Sequence, residues 1–468
     1  MAVPSNPAAG RDAATPPVPA GPSPPEDWPS WWMRLTRPHR MPDVVAVYPR
    51  EVYDTPIVAR RFAGRPYLLV NDPEGVKQVL QTNAANYVRA AKQKRLLEPL
   101  LGPSLLTADG PHWQRLRRIA APAFRPAMIA GFVPHFVAAT ERLRDDWLAR
   151  PADRPVDVYQ EMRRLTLSVI GWAMFGVDPG DRLDPVPPAS ARYGVGAGVV
   201  DMLVTLGLSE GAGTGLARRW AAATARPIRR AVAAMGAAGG DPVAGPTLLG
   251  LLDAAQRRET ALPLSSAEAQ DHLVTLLMAG HATTGAALGW LWYLLWLHPP
   301  VRAAVQAELA ARLGGRSPTA DDIAALSYTR MVIEEGLRLY PSIPVIGREA
   351  VGDDVICGVP APAGSRIAVS PWVIHRHAAL WDAPDRFDPG RFAADRVAAR
   401  HRFAHIPFGA GPHVCIGAGF AITEMLTVLA VLAQRFEPRL VPGHPVAVRA
   451  AGHLRPRYGL PMLLDRRA

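Results

Sequence analysis

The chain lacks most of what marks a secreted, nucleic-acid-binding or membrane protein. Only two cysteines, Cys357 and Cys415, occur in 468 residues. That is too few for a disulfide scaffold or a paired-cysteine zinc site. No charged start followed by an apolar block opens the sequence, so no secretory signal is read, and the reducing cytoplasm is the expected compartment. Lys and Arg number 52 against 41 Asp and Glu, a formal net charge of +11. Yet no basic run or stripe concentrates that excess, and the clusters stay as short as Arg226–Arg230. This excludes nucleic acid as the expected ligand and suits a basic patch that receives an acidic protein.

A further absence concerns Leu273–Leu297, where 25 residues pass without Asp, Glu, Lys or Arg. That exceeds the ~20 residues needed to cross a bilayer. Three features argue against a span. The run stands alone in mid-chain, and its centre, Ala279 to Gly285, carries His281, Thr283 and Thr284. Its start is that of a soluble helix, with Ser265 and Glu268 at capping-box spacing. The helix is expected to run on to Pro299-Pro300, about 33 residues or ~50 Å at the helical rise. A helix that is apolar all round lies buried in a large domain. Gly280 and Gly285 permit close approach to its backbone, and the threonines can bond back to carbonyls one turn earlier. The notch is either one wall of a small-ligand cavity or a helix-packing contact.

What is present at the N-terminus is proline. Nine fall in the first 29 residues, beside Ala, Gly and Ser. Such a segment buries too little apolar surface to offset its ordering entropy, so residues 1–29 are read as a disordered tail. Trp28–Leu35, with three tryptophans, is read as docking the start of the domain on its core, in preference to a membrane-surface anchor.

Near the other end, Phe408, Gly411, Cys415 and Gly417 form F-x-x-G-x-x-x-C-x-G in a Gly- and Pro-rich loop before an apolar helix. A cysteine at a helix N-terminus is stabilised as thiolate by the dipole and by free N–H groups. A thiolate is the axial ligand that pushes electron density into haem iron. With this loop, the sequence from about residue 40 onward resembles the cytochrome P450 superfamily of haem-thiolate monooxygenases. Further motifs occur in the family's order: Trp113 and Arg117 as W-x-x-x-R, Ala279–Thr284 at the oxygen groove, Glu335 and Arg338 as E-x-x-R, and Arg386 in "PDRF".

The resemblance implies a mainly α fold with a smaller β-rich part, and one catalytic domain over residues 30–468. The β-rich part is expected near residues 66–72 and 345–369, with Cys357 at a strand end. It implies haem b as cofactor, with Cys415 as iron ligand and Phe408, Gly411 and Gly417 shaping the loop. Trp113, Arg117, Arg348 and His413 would hold the propionates. His413 departs from the arginine more usual at its position. Glu335, Arg338 and Arg386 would form a structural ion cluster. Thr283 would be the oxygen-binding alcohol, with Gly280 and Ala279 beside it in the groove. Ala282 stands where the family commonly has an acid, so protons would reach the site through water, a distant carboxylate or the substrate itself. His281, ~100° round the helix from that position, is read as a packed or surface histidine.

The activity implied is insertion of one oxygen atom of O2 into a hydrophobic small molecule. Peroxide-driven or isomerase chemistry, and a haem-binding sensor without turnover, are the alternatives. Leu97 and Leu100 in the loop before Trp113, Leu276 and Ala279 on the long helix, and Val345 and Ile346 are candidates for the substrate wall or equally for core. Electrons are expected from a separate ferredoxin and its NAD(P)H-dependent reductase. The protein is expected to be a monomer with no transmembrane span. Residues 180–262 are expected to contain mobile helices over the substrate entrance.

Overall fold

The computed structural model describes residues 17–22, 24, 26, 45–62, 64–176, 223, 225–236, 247–251, 254 and 264–467. Trp28–Leu35 and nearly all of residues 180–262 lie outside them. The chain divides into two compact units. One comprises Met1–Tyr87, Phe136–Leu165 and Thr283–Ala468, and the other Val88–His135 and Thr166–Ala282.

The helices include α1 (Ala91–Leu101), α2 (Gly110–Ala120), α3 (Pro126–Ala149), α4 (Val158–Phe175), α5 (Ser266–Leu297), α6 (Pro299–Leu313), α7 (Ser327–Leu339) and α8 (Ala418–Leu432). The mainly α fold with a smaller β part is as expected. Helix α5 begins as its sequence dictates. The Ser265 hydroxyl accepts the Glu268 N–H at 3.2 Å, and the Glu268 carboxylate accepts the Ser265 N–H at 2.8 Å. These bonds hold the Glu268 carboxyl below its usual range. Pro299 stops α5 by opening α6. Among the described residues no helix is long and apolar enough to cross a membrane.

Four strands of the first unit belong to a sheet whose order is β1-β2-β8-β5-β3. Its strands are β1 (Ile57–Phe62), β2 (Arg65–Val70), β3 (Tyr87–Arg89), β5 (Ile346–Ala350) and β8 (Arg366–Val369). β2 and β8 pair in parallel at the centre, where Leu68, Val70, Ile367 and Val369 are fully buried. A short hairpin of β6 (Asp354–Ile356) and β7 (Val359–Ala361) joins β5 to β8, with Cys357 in its turn at φ 47°. β4 (Val156–Asp157), β9 (Phe436–Leu440) and β12 (Pro461–Arg466) form a second sheet, and β10 (Val448–Ala451) with β11 (His453–Pro456) a third.

Aromatic packing fills the unit beside α5. Trp290 stacks on Tyr340 with centroids 4.0 Å apart, and Trp147 sets its edge against Trp292 and Phe436. The described residues 17–22 of the N-terminal segment meet this cluster. The Ala20 N–H donates to the Tyr293 hydroxyl at 3.1 Å, and the Tyr340 hydroxyl donates to the Ala20 carbonyl at 2.7 Å. Pro19 directly precedes that residue and restricts the chain before it.

In the second unit, Arg89 binds Asp109 at 2.8 Å and Arg229 binds Asp271 at 2.6 Å. Leu97 and Leu100, expected in a loop, lie in helix α1. Gly280 is a packing notch: a Cβ there would lie 3.3 Å from Ile170 of α4. The Thr166 hydroxyl, also on α4, donates to the His281 carbonyl at 2.8 Å. His281 itself is fully buried, with Nδ1 2.8 Å from the Leu277 carbonyl.

Candidate functional site

The cysteine loop is a folded object, shaped by two glycines in the left-handed region. Gly409 and Gly411 have φ +70° and +67°. A Cβ on Gly411 would sit 1.8 Å from the Leu80 carbonyl oxygen, so only glycine fits there. Gly409 passes beside β5, where its Cβ would lie 3.6 Å from Ile346. The Cys415 N–H then donates back to the Phe408 carbonyl at 2.9 Å, closing the loop. Cys415 lies three residues before α8, whose N-cap is Gly417. Its side chain is exposed, while most of the helix behind it is buried.

An ion cluster stands behind that loop. Glu335 and Arg338, one turn apart on α7, are both 0 % exposed. The Arg338 guanidinium donates to the two Glu335 oxygens at 2.6 and 2.7 Å. Burial pushes the Glu335 carboxyl up, and Arg338 pulls against that. Arg338 spends its remaining N–H groups on the carbonyls of His375, Pro384 and Arg386.

The expected third cation is a correction. The Arg386 side chain is exposed, and only its main-chain carbonyl joins the cluster. Arg391 approaches Glu335 instead, at 3.5 Å and 8 % exposed. Arg391 lies in a 3-10 turn at Pro389–Phe392, where it is buried.

A residue missed by sequence reasoning joins cluster to loop. Buried His375 places Nδ1 3.1 Å from the Arg338 carbonyl, while Nε2 accepts the Ile406 N–H at 2.9 Å. Nε2 must therefore carry a lone pair, so the ring is neutral with its proton on Nδ1. Burial, with His405 and Arg338 nearby, pushes its pKa well down in agreement. The Ile406 carbonyl in turn accepts the Gly409 N–H at 3.0 Å. A continuous path of hydrogen bonds thus runs from Glu335 to the cysteine loop. No motif spacing marks His375, because its partners lie 37 and 31 residues away.

The other candidates distribute over the two units. In the first, Arg348 is a buried residue of β5, while His413 and Thr283 are half-buried. In the second, α2 carries Trp113 and Arg117 one turn apart. Ala279 and Gly280 precede Thr283 in α5. The Thr283 carbonyl accepts a hydroxyl bond from Ser342 at 2.9 Å, a contact no sequence motif announces.

The residue set fits an iron porphyrin. It holds an exposed sulfur in a loop turned by Gly409 and Gly411, the second of which leaves no room for a Cβ. Arg348 and His413 in the same unit are cationic or N–H-donating groups suited to propionates. Cys357, the other thiol, is different. It sits in a hairpin turn 3.6 Å from the Asp72 carboxylate, and burial and that neighbour push its pKa up to about 11. A thiol held protonated is a poor ligand.

Comparison with known proteins agrees with this chemistry. The family model described as cytochrome P450 matches residues 22–193 and 247–454. The chain is 35% identical over 403 residues to cyclooctatin synthase of Streptomyces melanosporofaciens, covering 84% of this chain and 85% of that protein. It is 34% identical over 390 residues to cyclooctat-9-en-7-ol 5-monooxygenase of the same organism, covering 81% of each. Among solved structures it matches the crystal structure of the cytochrome P450DA heme domain, with TM-score 0.80 and 26% identity over 96% of this chain and 98% of that one.

Proposed function

The chain belongs to the cytochrome P450 family and is a haem b monooxygenase, and from that premise we propose how its own residues divide the work. The single observation that carries the assignment is the closed, glycine-turned loop that presents Cys415 at the start of α8. Cys415 is the thiolate ligand, stabilised as the anion by the helix N-terminus behind it. Haem, when bound, supplies the activation of dioxygen. Phe408, Gly411 and Gly417 shape the loop. Arg348, His413, Arg117 and Trp113 hold the propionates, through charge-assisted bonds where the donor is cationic. Glu335, Arg338 and Arg391 are not chemical groups in the reaction, and they act by holding the Ile406–Gly409 segment through His375.

Thr283 donates its hydroxyl proton, or orients the water that does, where the substrate is oxidised. Ala279 and Gly280 line the same stretch of α5. Ala282 has no ionisable atom, so the relay passes through water and Thr283 and not through position 282. A half-buried apolar pair, Val345 and Ile346, belongs to the wall on which the substrate lies.

The substrate is a largely hydrocarbon, ring-bearing molecule. The name of one relative, a cyclooctat-9-en-7-ol 5-monooxygenase, supports that class. Electrons come from a separate acidic ferredoxin and its NAD(P)H-dependent reductase, to which the net charge of +11 is complementary. The protein works as a monomer in the cytoplasm.

The test is reconstitution with a surrogate ferredoxin, reductase and NADPH under 18O2, with a panel of cyclic terpene alcohols. One labelled oxygen per product molecule, dependent on all three components, is expected. Product formed with hydrogen peroxide alone and not with the reductase system would assign peroxide-driven chemistry instead.

A further inference from the structure

We propose that Ser342 is a positioning residue for Thr283, an inference that rests on the role of Thr283 in proton delivery. The Ser342 hydroxyl donates to the main-chain carbonyl of Thr283 at 2.9 Å. That carbonyl lies inside α5, ten residues or more from either end, where the regular ladder already offers it the N–H of residue 287. A side-chain donor on a mid-helix carbonyl tilts it outward and loosens the turn it closes, which is one of the identifiable causes of a helix bend. Its effect would fall at the residue whose hydroxyl the reaction needs, next to Ala282.

The donor is rigidly mounted. Ser342 stands between Pro341 and Pro344, which fix φ on either side of it. Its own carbonyl accepts the Leu454 N–H of β11 at 2.8 Å. The Pro344 carbonyl accepts the Ser370 hydroxyl at 2.9 Å and the Trp372 N–H at 3.3 Å. Ser342 is half-buried, so its hydroxyl is neither a random surface contact nor a core filler. Ser342 holds the backbone from which the Thr283 side chain projects. The residue touches neither substrate nor cofactor in this scheme, and it acts through Thr283.

A double-mutant cycle separates this role from a structural one, because Thr283→Ala keeps the carbonyl that Ser342 binds. The haem-loaded full chain is compared as wild type, Ser342→Ala, Ser342→Thr, Thr283→Ala and the double variant. Two quantities are read without added substrate: hydrogen peroxide release with a surrogate ferredoxin, reductase and NADPH, and the C–O stretching band of the reduced protein under carbon monoxide. Ser342→Ala is expected to raise peroxide release about fivefold, the factor that one neutral hydrogen bond carries, and to shift the C–O band. Ser342→Thr should match wild type. In the Thr283→Ala background, Ser342→Ala should change neither quantity, while its loss of thermal stability persists. The same fivefold effect in both backgrounds, or no effect of Ser342→Ala where Thr283→Ala has a large one, overturns the inference. Thr283→Ala without effect on either quantity would instead overturn the role assigned to Thr283.

Discussion

Replacing Arg391 and Arg386 in turn should give very different proteins, although both lie in the segment from which one cation was expected. Arg391 is 8 % exposed, stands 3.5 Å from the buried Glu335 carboxylate, and donates to the Ala383 carbonyl at 3.1 Å. Breaking a buried charge network costs ~3–5 kcal/mol when the remaining charge is left alone. Here Arg338 still holds both Glu335 oxygens, so Arg391→Ala should cost somewhat less, ~2–3 kcal/mol. In a chain of this size that lowers the melting temperature by about 2–3 °C. Because His375 ties the cluster to Ile406, the loss should extend to the cysteine loop and speed the collapse of the thiolate-type spectrum on warming. Arg386→Ala removes an exposed side chain and keeps the carbonyl that Arg338 uses, so it should stay within ~0.5 kcal/mol of wild type. The assay is thermal melting followed by circular dichroism and by the Soret band of the reduced, CO-bound protein. Equal destabilisation by the two substitutions, or a larger effect of Arg386→Ala, would refute the reasoning.

Other outcomes rest on neighbouring contacts. Gly411→Ala, with a Cβ driven into the Leu80 carbonyl at positive φ, should cost more than ~3 kcal/mol and impair haem retention. Gly443→Ala, also at positive φ but with nothing within 4 Å, should cost only ~1–2 kcal/mol; similar losses would count against the tight approach of the loop. His298 is buried against Phe387, and burial pushes its pKa down to about 4. Its contribution is therefore complete above pH 6.5 and is lost as the pH falls toward 4, because only the unfolded chain takes up the proton. Between pH 6.5 and 5 that is up to ~2 kcal/mol, and His298→Phe should flatten this part of the stability profile; an unchanged slope would contradict the assignment. Ala282→Glu should alter the fraction of NADPH recovered as product and the solvent isotope effect. Unchanged values of both would show that protons do not pass through this position even when it carries an acid.

Local rules made part of this molecule legible in advance. Ser265 and Glu268 are three residues apart, so their capping box and the start of α5 needed no tertiary information. Glu335 and Arg338 share a helix face for the same reason, and the cysteine loop is a contiguous run whose glycines mark its turns. What stayed hidden depends on the path of the chain. Arg391 replaces Arg386 because Arg391, in the 3-10 turn at Pro389–Phe392, is the one whose side chain meets Glu335. His375 and Ser342 meet partners 31 to 59 residues away, and no spacing rule reaches that far. Ala20 is held through its backbone N–H and carbonyl, so its side chain carries no signal. Gly280 and Ala279 remain the hardest to read. A glycine notch serves helix packing and ligand access alike, and here Ile170 fills part of it.

The central claim is that the sulfur of Cys415, and not that of Cys357, binds the haem iron. The most direct measurement is the absorption spectrum of the reduced, CO-bound Cys357→Ser variant, in which Cys415 is the sole thiol. A strongly red-shifted Soret band, unchanged from wild type, is the predicted result. Its absence, with the band moved to the position of a histidine-ligated or unligated haem, would contradict the account.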